Sequence, residues 1–148
     1  MANINVLVGT VTGKALDAAQ AIAAIFESQH CVQLCLNPTI DDVISEQVDI
    51  LVIVTSSTGQ GNVPFSMLPL YEQLQALSPL IPVKRFAVVA LGDSSYATYC
   101  QAGATMEQLM LELQGQSLCP RFNIDALEHY MPGAIARQWA EETMKLIT

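Results

Sequence analysis

This sequence lacks both common glycine-rich phosphate signatures: neither GxGxxG nor GxxxxGK[ST] occurs in it. Basic residues are scarce, with six Lys and Arg against fourteen Asp and Glu and a net charge of −8. Nucleic acid and anionic membrane both reward clustered cations, so neither is an expected partner. The four cysteines, Cys31, Cys35, Cys100 and Cys119, form no CxxC pair and no zinc-like spacing with the two histidines. Reduced thiols and no metal are expected, with Cys31 and Cys35 acting as small apolar residues in a strand. His30 and His129 are expected at the surface rather than as ligands or bases. No apolar run approaches the roughly 20 residues that span a bilayer. Met1 to Asn5 carries neither a basic segment nor a cleavage site, so a cytoplasmic location is expected.

What is present is a core. Half of the 148 residues are apolar (51%) against 14% charged, enough for one domain over residues 1–148. Strands are expected at Ile4–Gly9, Val32–Leu36, Ile50–Ser56, Phe86–Leu91 and Ser117–Ile124. The third and fourth are nearly unbroken apolar runs, which suit central parallel strands covered on both faces. Pro120 weakens the fifth and sends it to an edge or a strand start. Helical patterns lie between them, over residues 13–29, 39–46, 65–77, 104–113 and 134–147. Pro69 is tolerated only early in a helix, so the third should become regular near it. The alternation predicts an α/β fold: three layers around a doubly wound five-stranded parallel sheet of order 2-1-3-4-5. In that order ligands bind beyond the carboxyl ends of the strands, at the point where the winding reverses.

Three loops fall at that edge. Gly9-Thr10-Val11-Thr12-Gly13-Lys14-Ala15 joins the first strand to the first helix. Hydroxyls and a helix N-terminus there can hold a phosphate; Thr and Gly in that place are equally ordinary turn and cap chemistry. Thr55 to Pro64 follows the third strand, uncharged and with two glycines that let a flat ligand approach the backbone. Leu91 to Cys100 follows the fourth and offers N–H donors with Tyr96 and Tyr99, rings that can stack on a ligand or pack onto the domain. The three together ask for a mononucleotide with a planar ring system.

The motifs resemble the short-chain bacterial flavodoxins, of the small MioC/YqcA type. The resemblance runs through Thr10-x-Thr12-Gly13-Lys14-Ala15, Ser56-Ser57-Thr58-Gly59-Gln60-Gly61-Asn62-Val63-Pro64 and Leu91-Gly92-Asp93-Ser94-Ser95-Tyr96-x-x-Tyr99-Cys100, the last being the most specific. It covers essentially the whole chain, with no insertion in the fifth strand region. The flavodoxin-like fold and the cofactor FMN follow as implications. Thr10, Val11, Thr12, Gly13, Lys14 and Ala15 would bind the FMN phosphate. Ser57, Thr58, Gly59, Gln60 and Gly61 would line the inner side of the flavin, and the peptide after Gly59 would turn over on reduction. Tyr96 would stack on the outer face, while Leu91, Gly92, Asp93, Tyr99 and Cys100 would meet the pyrimidine edge. The sequence departs from the family in three places. The second loop lacks an aromatic residue for the inner face, Ala15 lacks a hydroxyl, and Lys14 stands where a small or polar residue is common. For Lys14 a solvent-facing position is favoured over a contact to phosphate.

The resemblance implies an electron carrier rather than an enzyme. It would pass single electrons from an NAD(P)H-dependent flavodoxin reductase to an acceptor redox enzyme, each docked transiently on an acidic face, and would act as a monomer. The alternative is a flavin-dependent, quinone-type small-molecule reductase. A phospho-receiver of the same topology needs an acceptor Asp ending the third strand and a Lys ending the fifth. This chain has Ser56-Ser57 and Asp125 there.

Overall fold

The computed structural model describes residues 1–147. Along the chain run β1 (Asn3–Gly9), α1 (Lys14–Phe26), β2 (Cys31–Cys35), α2 (Ile40–Ile44), β3 (Ile50–Ser56), α3 (Leu68–Leu77), β4 (Arg85–Gly92) and α4 (Gln101–Glu112). They are followed by β5 (Gln116–Ser117), β6 (Phe122–Asp125) and α5 (Gly133–Met144). The sheet is parallel in the order β2-β1-β3-β4, and both β5 and β6 lie beside β4. The expected 2-1-3-4-5 winding is therefore present, with the fifth strand in two pieces.

The split has a local cause. Arg85 and Phe86 face Gln116 and Ser117, then Val89 faces Phe122. Leu118 to Arg121 thus stand opposite only Ala87 and Val88; the Leu118 N–H still donates to the Phe86 carbonyl at 2.8 Å, and the residues after it bulge from the ladder. Pro120 has no N–H to give β4. The Ser117 hydroxyl donates to the Cys119 carbonyl at 2.9 Å and closes the detour.

The apolar runs alternate between two cores, as side chains on a strand must. Leu7, Leu51, Ile53, Phe86 and Val88 face α3 and α4, with Met67, Leu70, Leu74, Met106 and Met110. Val6, Val8, Ile50, Val52, Val54 and Val89 face α1 and α5. The small face of α1 (Ala15, Ala18, Ala19, Ala23) lets it approach the sheet closely, while Ile22 and Phe26 fill the remaining space. Trp139 on α5 stacks on Phe122 of β6 with ring centroids 6.4 Å apart, which packs the middle of α5 against β6.

All four thiols are free. Cys31, expected as a small apolar residue in a strand-like run, is exposed on β2, a strand with a neighbour on one side only. His30 is half-buried and accepts the Ala2 N–H on Nδ1 at 3.0 Å, so it ties down the N-terminal residues. Lys84 is the one buried cation among the described residues. Its ammonium donates to the carbonyls of Ser45 at 2.6 Å and Val48 at 2.7 Å. No helix among the described residues is long and apolar enough to cross a membrane.

Candidate functional site

A cleft of about 360 Å³ opens at the carboxyl ends of β1, β3 and β4. This is the edge that the winding rule selects. Its volume lies in the range of small-ligand pockets.

The first wall comes from the β1–α1 loop, which supplies Val11, Thr12 and Lys14. Gly13 caps α1 with φ 91°, a left-handed value that glycine takes without strain. The Thr10 hydroxyl accepts the Gly13 N–H at 2.8 Å, and Ser56 Oγ accepts the Val11 N–H at 3.1 Å. Thr10 and Gly13 therefore shape the loop and do not line the cleft. The side chain of Ala15 is buried in the core, so only its backbone faces the loop. The first in-register helical bond runs from the Asp17 N–H to the Gly13 carbonyl at 3.0 Å. The preceding N–H groups of Lys14, Ala15 and Leu16 stand before it, at the positive end of the helix.

The second wall is Ser56 to Gly59. Ser57 Oγ accepts the Ala102 N–H at 2.9 Å and pins this loop to α4. The Gly59 carbonyl accepts the Thr98 hydroxyl at 3.4 Å, joining the second and third loops. A Cβ built on Gly59 would meet open space, so this backbone is bare toward its surroundings. Gln60 and Gly61, expected in the same wall, turn away from the cleft. They line a separate groove with Phe65 and Tyr71. The reason is local: Gly61 takes φ 83°, and its N–H returns to the Thr58 carbonyl at 2.9 Å, which folds the chain back on itself.

The third wall and the floor come from the β4–α4 loop. Leu91, Gly92, Asp93, Tyr96, Tyr99 and Cys100 all line the cleft, as the sequence suggests. Tyr96 is 57% exposed, so its ring is offered to the opening rather than packed on the domain. Cys100 is buried, and burial pushes its thiol pKa up. The thiol donates to the Ala90 carbonyl at 3.4 Å, which leaves it a protonated spacer instead of a nucleophile. Burial likewise pushes Tyr99 up to about 12. Gly92 is needed for space, because an added Cβ would lie 2.8 Å from the Cys100 backbone nitrogen.

A fourth wall is not visible in the sequence. Ala126, His129, Tyr130 and Pro132, from the β6–α5 loop, line the same cleft, with Ile124 at the floor. His129, expected as an ordinary surface residue, is thus half-buried at the site. Asp125 organises this loop: one carboxylate oxygen accepts the Ser94 N–H at 3.1 Å and the Leu127 N–H at 3.0 Å. The Ser94 side chain, followed by the Leu127 N–H, holds its pKa below the usual carboxylate range. Lys14 is not free in solvent, contrary to expectation. Its ammonium donates to the Tyr130 carbonyl at 2.9 Å and sits 3.9 Å from the centroid of the Tyr130 ring. The composition of this wall is ordinary turn chemistry, apart from the Tyr130-Met131-Pro132 run before α5.

The donor set fits a ligand with a phosphate and an uncharged, planar ring system. Helix N–H groups and one ammonium stand at one end, hydroxyl and bare backbone at one side, and an exposed aromatic ring at the other. Among the described residues no cluster of side chains is arranged to hold a metal ion.

Comparison with known proteins agrees with this reading. The family model described as flavodoxin matches residues 6–139. The chain is 35% identical over 148 residues to flavodoxin YqcA of Pectobacterium carotovorum, covering 99% of this chain and 98% of that one. It is 36% identical over 137 residues to a MioC homolog of Pasteurella multocida, covering 92% of each. A cysteine-to-alanine mutant of a flavodoxin from Pseudomonas aeruginosa superposes with a TM-score of 0.89 at 26% identity, over 97% of each chain.

Proposed function

The chain belongs to the flavodoxin family, whose cofactor is FMN, and on that premise we propose that it carries single electrons from a flavodoxin reductase to an acceptor redox enzyme. The observation that carries the proposal is the convergence of the β1–α1, β3–α3, β4–α4 and β6–α5 loops on one cleft, mostly of uncharged groups with Lys14 and Asp93 among them, beside a helix N-terminus. When bound, FMN supplies the one-electron redox chemistry. Everything else falls to the chain's own residues.

Backbone N–H groups at the start of α1, with the Thr12 hydroxyl and Lys14, receive the phosphate. Ser57, Thr58 and Gly59 present uncharged backbone and hydroxyls to one side of the ring system. Tyr96 presents its ring to the other side, and Gly92, Asp93 and Tyr99 meet the polar edge. Cys100 and Ile124 keep the floor apolar. The anchoring of Ser57 to α4 and of Ser94 to Asp125 holds these walls in place before the ligand arrives, so less ordering is needed on binding.

Residues 1–148 act as one cytoplasmic, monomeric domain in this reading. Six basic against fourteen acidic residues leave a surface that steers toward a basic docking face on the reductase and the acceptor. The carrier reading is favoured over the quinone-type reductase because the family model and a relative matched over nearly its whole length are flavodoxins.

The test has two stages. Titration of the protein with FMN should quench flavin fluorescence to a one-to-one end point. The loaded protein should then relay electrons from an NADPH-dependent flavodoxin reductase to cytochrome c, without turning over a quinone with NADPH alone. Failure to bind FMN overturns the cofactor site, and direct NADPH–quinone turnover favours the reductase.

A further inference from the structure

Lys14 is the only Lys or Arg that lines the cleft among the described residues. It sits in a chain of net charge −8, with Asp93 in the same cleft and Asp125 and Glu128 in or beside the adjoining loop. An anionic ligand therefore meets one formal positive charge there, and the structure shows where that charge is held. The ammonium leaves the first turn of α1, crosses to the β6–α5 loop, and ends on the carbonyl and ring of Tyr130. The two residues are 116 positions apart in sequence. Tyr130 is otherwise 77% exposed, and its hydroxyl makes no hydrogen bond among the described residues. Its contact with Lys14 is thus the visible tie between this segment and the β1–α1 loop.

An ammonium has three donors, and the Tyr130 carbonyl uses one of them. Both present partners, a neutral carbonyl and a ring face, are weak beside a phosphate dianion. We propose that Lys14 is the residue that selects phosphorylated over unphosphorylated flavin, and that it does so as a latch: it gives its remaining donors to the phosphate while keeping the Tyr130 carbonyl. The phosphate then strengthens the tie, and the β6–α5 loop is held closed over the cleft. Riboflavin, which has the ring system without the phosphate, leaves the tie as it is. The inference rests on the FMN reading above. It adds a specificity residue and a fourth-loop response to that reading.

The experiment compares FMN and riboflavin on the full chain and on Lys14→Gln, by fluorescence titration and by amide hydrogen exchange over residues 126–132. In the unmodified chain FMN slows exchange in this loop more than riboflavin does. Lys14→Gln loses about tenfold in FMN affinity, the scale of one charge-assisted hydrogen bond, and keeps its riboflavin affinity. It also loses the FMN-specific slowing, and without ligand its loop exchanges faster than that of the unmodified chain. Equal losses for both flavins, no loss of FMN affinity, or loop protection that is the same with either flavin overturns the latch. If FMN binds the unmodified chain and Lys14→Gln alike, the latch alone falls. If neither flavin binds the unmodified chain, the FMN reading falls and the latch falls with it.

Discussion

The carboxylate of Asp125 accepts the backbone N–H of Ser94 at 3.1 Å, joining two loops of the cleft across 31 positions of sequence. The same oxygen holds the Leu127 N–H at 3.0 Å, so one side chain sets both the third and the fourth wall. Its pKa is lowered, first by the Ser94 side chain and then by the Leu127 N–H. A lowered folded value means that the charged carboxylate stabilises the folded arrangement above the ordinary carboxylate range, and that this contribution is lost as pH falls through the lowered value. The Ser94 and Leu127 amide signals should therefore shift together, with a midpoint below that of an ordinary aspartate. Asp125→Ala should weaken FMN binding and lower Tm modestly at neutral pH. An ordinary midpoint for both amides would refute the arrangement.

Tyr96 should carry ring stacking. More than half of its surface is open beside the cleft, and nothing in the domain needs its ring for packing. Tyr96→Ala should weaken FMN by about 1–2 kcal/mol, the scale of an aromatic stacking contact. Tyr96→Phe should bind nearly as well as the unmodified chain. Equal losses for the two variants, read by fluorescence titration, would move the effect from the ring to the hydroxyl.

Gly92 should tolerate no side chain. A Cβ there would stand 2.8 Å from the Cys100 backbone nitrogen and 3.1 Å from Tyr99 Cδ1. Backbone at the start of α4 cannot yield as the end of a side chain can. Gly92→Ala should cost about 1–3 kcal/mol in urea unfolding, the usual scale of overpacking. Gly59→Ala meets open space and should leave stability within about 0.5 kcal/mol, as surface substitutions do. Equal stability for the two variants would contradict the packing described.

Tyr99 predicts the alkaline limb of stability. Burial, the first cause, raises its pKa from 10.0 to about 12. Between those values an unfolded tyrosine has lost its proton while the folded one keeps it. The folded state then binds more protons, and stability falls as pH rises through this window. Ultraviolet titration should show a tyrosine component near 12 that is absent in Tyr99→Phe, and the variant should lose less stability across the window. A spectrum unchanged by the substitution would rule this out.

Much of the frame was legible in the residues because burial leaves a compositional trace. The Ile50–Ser56 run coincides with β3 to the residue, and the Phe86–Leu91 run lies inside β4. Both are covered on two faces, so both can be apolar throughout. The Leu91–Cys100 loop was legible because its glycine, aspartate and tyrosines are unusual together, and all six of its expected site residues line the cleft. The break at Leu118–Arg121 was half legible: Pro120 marks a ladder position without a donor, but the number of residues that bulge depends on the register against β4.

By itself the sequence determined the order of strands and helices, the sheet edge at which the cleft lies, and the family whose cofactor is FMN. These follow from local patterns of apolarity, glycine and hydroxyl, which act over a few residues. Only the tertiary structure decided which way each loop residue turns. It folded Gln60 and Gly61 back into another groove, spent the Thr10 hydroxyl on the Gly13 N–H, and carried Lys14 to Tyr130. The β6–α5 loop became a wall because the doubly wound sheet brings the end of β6 beside the end of β4, a proximity between distant residues that no local pattern encodes.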